Sequence, residues 1–184
     1  MIVETEITPN PNTLKFLPGK KVSEVGSVEF TKKTRTEIPL VKDILSLKGI
    51  DMVFLGNDFI TVKKDEKSNW KDLKHSVISQ INHHYLEGKK DVILKKGATS
   101  PQKNDLEDSN EIIVRIKKVL DDKIRPAVAR DGGDIKFKSF VNGIVKVELQ
   151  GSCSGCPSST MTLKQGVQNL LCHYISEVKE VIAV

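Results

Sequence analysis

The chain has 184 residues, 38% apolar and 29% charged, with a formal net charge of +5; that is enough for one full core or two small ones, and no run approaches the roughly 18 apolar residues of a membrane-crossing helix. The positive charge does not indicate nucleic-acid binding, because Lys and Arg are interspersed with Asp and Glu and no basic run is interleaved with aromatics. Three cysteines, an odd number, argue against a disulfide-stapled secreted fold, and Met1 to Glu6 look like neither a signal nor a transit peptide, so a bacterial cytoplasmic protein is expected, or a mitochondrial matrix one if the chain is processed.

Ile2 to Ile7 reads as a short strand. Thr8-Pro9-Asn10-Pro11-Asn12 breaks it, since two prolines and two asparagines in five residues make a rigid turn, which as an exposed loop also offers a docking surface. Leu14 to Leu17 and Ser27 to Phe30 resume extended patterns, and Pro39 opens a short helical stripe of Leu40, Ile44, Leu45 and Leu47. Ile50 to Leu55 and Phe59 to Lys63 flank Gly56-Asn57-Asp58 as a hairpin. Trp70, Leu73, Val77, Ile78, Ile81 and Tyr85 then mark an amphipathic helix. His75, His83 and His84 lie on or near that helix with no metal-ligand spacing, and read as ordinary surface or half-buried histidines.

Residues 1–88 thus form a first domain. Residues 89–109 read as a charged linker whose one apolar run, Val92-Ile93-Leu94, docks on a neighbouring surface. Residues 110–184 form a second domain. It opens with a helical stripe of Ile112, Ile113, Ile116, Val119, Leu120 and Ile124, stopped by Arg125-Pro126. Asp131-Gly132-Gly133-Asp134 is a structural turn, because the phosphate-loop spacing and its Lys-Ser/Thr are missing. In the following hairpin, a three-residue loop of Val141-Asn142-Gly143 pairs Ile135 with Leu149, Phe137 with Val147 and Ser139 with Val145, which keeps apolar residues on one face and makes Gly143 left-handed. Val178, Ile182 and Val184 close the chain as an edge strand. The fold class expected is α+β, two small domains, the second a helix-hairpin-helix-strand unit with helices on one face of a three-stranded sheet.

Between that hairpin and the last helix stands Gly151-Ser152-Cys153-Ser154-Gly155-Cys156-Pro157-Ser158-Ser159. Val145, Val147 and Leu149 alternate before it, and Leu163, Val167, Leu170, Leu171 and Tyr174 form a helical stripe after it. Cys153 and Cys156 therefore sit in a tight loop feeding a helix N-terminus, where the dipole favours thiolate. Two thiols at this spacing hold a metal, hold a corner of a cluster, or close a redox-active disulfide. Gly151 and Gly155 suit either close approach of a bulky ligand or plain tight turns.

The residues Gly151-x-Cys153-x-x-Cys156-Pro157-x-Ser159, with Thr162-Leu163-Lys164, Arg125-Pro126 and Asp131-Gly132-Gly133-Asp134, closely resemble the C-terminal domain of NifU-like iron-sulfur scaffold proteins. Thr8-Pro9-Asn10-Pro11-Asn12-Thr13-Leu14-Lys15-Phe16 and Gly56-x-Asp58-Phe59-Ile60-Thr61-Val62 resemble the N-terminal domain of the Nfu-type members. The resemblance implies a non-enzymatic carrier that holds a [4Fe-4S] cluster between two subunits, with Cys153 and Cys156 as its ligands, receives it from an upstream donor and hands it to apo iron-sulfur clients. With no cysteine before Cys153, the chain lacks the assembly and ferredoxin-like domains of the nitrogenase-associated type, which favours a late carrier role. The chemistry agrees: four thiolates are wanted and one loop supplies two. Cys172, about 24 Å along a continuous helix from Cys156, is a poor third ligand, so a homodimer, formed on cluster loading from an apo-monomer, completes the set. A zinc-stapled interaction module and a thiol-disulfide oxidoreductase are the alternatives for the same pair.

Overall fold

A computed structural model describes residues 2–88, 111–154 and 157–184, with the backbone alone at 157–159. The linker and its Val92-Ile93-Leu94 run lie outside the described residues. The chain forms two units, α+β throughout.

In the first unit, strands β1 (Glu4–Ile7), β2 (Thr13–Leu17), β3 (Val28–Thr31), β4 (Ile50–Leu55) and β5 (Ile60–Lys64) make one antiparallel sheet in the order β1-β2-β5-β4-β3. Helix α1 (Pro39–Ser46) starts at its proline, whose missing N–H costs nothing in a first turn. Helix α2 (Trp70–Leu86) is capped by the Asn69 side chain, which accepts from the Lys71 N–H at 3.0 Å. Leu40 and Ile44 of α1, Val77 and Ile81 of α2, and Phe16, Val53, Leu55, Ile60 and Val62 of the sheet form one core. Only the prolines of the loop after β1 face solvent; Thr8, Asn10 and Thr13 are buried. Both threonine hydroxyls donate to the Asn10 carbonyl, at 2.9 and 3.0 Å, and Lys64 Nζ donates to Asn12 Oδ1 at 3.0 Å. The loop is rigid because it is latched, and less of it is exposed than its composition suggests. His75 and His83 are exposed, and His84 is buried with its ring 5.2 Å from that of Tyr85.

In the second unit the first helix does not stop at Arg125-Pro126. Helix α3 (Glu111–Val119) runs through a π-turn, Leu120–Ile124, into α4 (Arg125–Arg130). The Arg125 N–H reaches back five residues to the Leu120 carbonyl, and this widened turn puts Pro126 at the start of α4, where its missing N–H breaks no bond. Strands β6 (Gly133–Val141) and β7 (Ile144–Gly151) form the hairpin. Ile135 pairs with Leu149 and Phe137 with Val147 as the alternation requires, but the loop has two residues, Asn142 and Gly143, both with positive φ (52° and 83°). A β-bulge between Phe137 and Ser139 absorbs the extra residue, so that Ser139 meets Lys146 and Phe140 meets Val145.

Helix α5 (Pro157–Tyr174) crosses over from β7 to β8 (Glu180–Ala183), an edge strand parallel to β7. Its fully buried residue is Val181, whereas Val178 is buried in the turn before it and Val184 is exposed; the last strand is one residue out of the expected phase. Ile116, Leu120, Ile124 and Val128 from the first helical run, Ile135, Val145, Val147 and Val181 from the sheet, and Val167 and Leu171 from α5 share the core, so the helices cover one sheet face.

Candidate metal centre

The hairpin ladder ends in a pair of glycines, Gly133 opposite Gly151, and without side chains they leave a hollow at the strand ends. Gly151 turns the chain at φ 70°, and Cys153 folds back into that hollow, only 6% exposed. A Cβ on Gly133 would lie 2.7 Å from Cys153 Sγ and 2.6 Å from the Gln150 carbonyl oxygen, closer than atoms pack. Glycine at 133 is therefore a requirement of the cysteine's position.

Two further elements brace this cradle. The Ser152 N–H donates to the Gly132 carbonyl at 3.2 Å, and the Ser152 hydroxyl donates to the Asp131 carbonyl. Farther along, the Ser154 hydroxyl donates to the Gly151 carbonyl at 2.9 Å and the Thr160 hydroxyl to the Cys153 carbonyl at 3.2 Å. The Asp-Gly-Gly-Asp turn is itself held by a two-pronged ion pair. Arg125 Nε and Nη2 each donate to an Asp134 carboxylate oxygen at 2.9 Å, and Nη1 donates to Asp121 at 3.0 Å. The Asp134 hydrogen bonds raise the Arg125 pKa, burial opposes them, and the guanidinium stays charged. Arg125, Gly133, Asp134 and Ser152 thus support the cysteine loop, which the sequence reading, with Arg125 as a helix stop and the glycines as a turn, did not foresee. The available signals were an arginine before a proline inside an apolar stripe and a second aspartate after the glycine pair.

Burial pushes the Cys153 thiol up to about 11, the Ser152 hydroxyl works against that, and the Asp131 and Asp134 carboxylates add to it. In the metal-free chain burial therefore works against the thiolate expected of Cys153 at a helix N-terminus. Its sulfur faces the core and two carboxylates before any helix dipole. Cys156 lies outside the described residues. Cys172 is half-buried against the core, as expected of a small apolar side chain on α5. Among the described residues no three His, Cys, Asp or Glu side chains gather into a metal site. At the cradle the described residues place one thiol, that of Cys153.

Residues 116–182 match the family described as NifU-like domain, and residues 3–88 the one described as scaffold protein Nfu/NifU N terminal. The chain is 44% identical to "NifU-like protein 4, mitochondrial" of Arabidopsis thaliana, over 98% of this chain and 65% of that protein. It is 42% identical to "NFU1 iron-sulfur cluster scaffold homolog, mitochondrial" of Homo sapiens, over 98% and 71%. The chain therefore spans about two thirds of the length of the curated relatives it matches. A solution structure of a NifU-like protein from Saccharomyces cerevisiae is 28% identical, covering 52% of this chain and 87% of that one, with a TM-score of 0.47. The relatives' names place them in mitochondria, which runs against the expected bacterial cytoplasm.

Proposed function

The chain belongs to the NifU-like iron-sulfur scaffold family, and on that premise we propose that it is a carrier whose cargo is a [4Fe-4S] cluster held between two copies by Cys153 and Cys156 of each. The observation that carries this reading is the half-site. A four-iron cluster takes four thiolates, the loop's sequence provides two, and among the described residues no three His, Cys, Asp or Glu side chains gather into a metal site. A second copy related by a two-fold axis supplies the missing pair. The carrier performs no catalysis. It takes the cluster from an upstream donor and yields it to apo-clients as incoming client thiolates replace loop cysteines one at a time. Of the two compartments expected, the mitochondrial matrix is favoured by the names of the relatives. Residues 1–88 serve client recognition, 89–109 link, and 110–184 hold the cargo.

The thiol-disulfide alternative is disfavoured by the burial of Cys153, since a redox-active pair needs an accessible thiolate. Anaerobic reconstitution with iron and sulfide tests the carrier reading. About four iron and four sulfide per dimer are expected. Cys153→Ala or Cys156→Ala abolishes uptake, because each removes two of the four ligands, and Cys172→Ala leaves it unchanged. Stoichiometric zinc with no iron uptake would instead establish the zinc-stapled module.

A further inference from the structure

Between Glu148 and Glu177 the chain carries one charged side chain, Lys164, although 29% of all residues are charged and about eight would fall in those 28 positions at that rate. Burial accounts for part of this depletion, since Val167 and Leu171 point into the core and Leu163 packs against it. The opposite face of α5 has no such reason, being exposed and uncharged. Thr162, Gly166, Asn169 and His173 run along its middle at spacings of four, three and four, the seam that two parallel helices share. Leu170, 37% exposed, flanks the seam. Lys164 has its ammonium 3.9 Å from Glu180 of β8.

Gly166 adds an independent sign. A Cβ there would meet nothing within 4 Å, so no neighbour among the described residues requires a glycine that makes the helix less stable than alanine would. What it does permit is close approach of another backbone. Loss of charge is also a mark of an interface core rather than of free surface.

The geometry points to a second copy of this chain on that face, its α5 lying parallel to this one about a two-fold axis that runs along the helices. This rests on the carrier reading, in which the site is incomplete without a second cysteine loop. Because α5 begins directly after the loop, parallel packing sets both loops at the same end. Antiparallel packing of the same face would separate them by most of an 18-residue helix, about 27 Å at 1.5 Å per residue, too far to share a cluster. In the parallel arrangement Asn169 meets the partner's Asn169. The seam is polar, so the contact is weak by itself and the shared cargo completes it.

The test uses the full chain and two variants, N169E and N169K, at an exposed position of α5 outside the cysteine loop. Each variant alone opposes like charges across the axis, whereas an equimolar mixture opposes unlike ones. Sedimentation velocity on anaerobically loaded protein is expected to show each variant dimerising about tenfold more weakly than wild type, with unchanged melting temperature, and the mixture recovering a dimer of one chain of each kind. In the metal-free mixture, zero-length carbodiimide coupling should join the two introduced side chains, a readout that does not depend on cargo. G166A should raise the melting temperature of the monomer and weaken the loaded dimer. Variants that dimerise as wild type without cross-coupling overturn the proposal, and if they also slow delivery to an apo-client, the face belongs to the client. Weak dimers that the mixture does not restore overturn the parallel register. A wild-type chain that takes up no iron and sulfide removes the carrier reading, while the coupling in the metal-free mixture still decides the surface.

Discussion

Gly133 has the most stringent local role in the second unit, because its missing side chain is the space that Cys153 Sγ occupies. Gly133→Ala forces a methyl into a contact of 2.7 Å with that sulfur, and the expected cost is roughly 1–3 kcal/mol, the range for overpacking a closed site. Urea denaturation of the metal-free protein measures this cost, and reconstitution measures the accompanying loss of iron binding. A variant as stable and as iron-competent as wild type would show that the cysteine moves aside freely. The Arg125–Asp134 pair invites a double-mutant cycle with Arg125→Lys and Asp134→Asn. Two parallel hydrogen bonds at 2.9 Å to a carboxylate whose side chain is 7% exposed predict a coupling of about 1–2 kcal/mol, discounted because the arginine is half in solvent. Coupling near zero would reduce the pair to decoration. Spacing singled out the cysteine pair as the candidate, but it did not reveal the cradle around Cys153. Gly133 and Cys153 meet because two strand ends pair across a hairpin, and nothing in either residue's neighbourhood along the chain announces the contact.

At the scale of elements, periodicity located each strand and helix of the first unit, because burying one face imposes a repeat of two or 3.6 residues on the apolar positions. It failed where backbone geometry changes without changing that repeat. A bulge in β6 and a longer loop both keep Ile135 and Phe137 on the inner face, so alternation had no power to choose between them. The π-turn likewise leaves Ile116, Leu120, Ile124 and Val128 on the buried side while it relocates Pro126. A proline in a helix interior costs about 3 kcal/mol, but here it occupies a first turn, so Pro126→Ala should shift stability by less than about 1 kcal/mol. Chemical denaturation decides it, and a gain near the full interior penalty would mean that the π-turn is strained by the proline rather than matched to it. The type I′ turn is less forgiving. Gly143 has φ 83°, and a Cβ there would crowd Lys179 and the Glu177 carbonyl, so Gly143→Ala should destabilise by about 1–2 kcal/mol, whereas Asn142→Gly, which tolerates the same hand of backbone, should be nearly neutral in the same melts.

For the whole molecule, the division of labour between the units is itself testable. The thiols, the glycine cradle and the Arg125–Asp134 brace all lie in residues 110–184, and that unit has its own core, so residues 107–184 alone should bind the cluster. Residues 1–88 contribute no thiol, yet they build a separate core and latch the Thr8–Thr13 loop with its two prolines outward, and the role proposed for them is recognition. A carrier must hold its cargo firmly enough to protect it and loosely enough to release it, and selectivity among clients then depends on how long client and carrier stay together. The shorter chain should therefore load as fully as the whole one but deliver to a physiological apo-client more slowly or with less discrimination. The rate of cluster appearance on the client, followed by circular dichroism or by recovered client activity at equal cluster concentration, measures this directly. Equal rates and equal client preference would leave the first unit without a recognition role. A shorter chain that folds but takes up no iron would place part of the site outside the cysteine loop and its cradle.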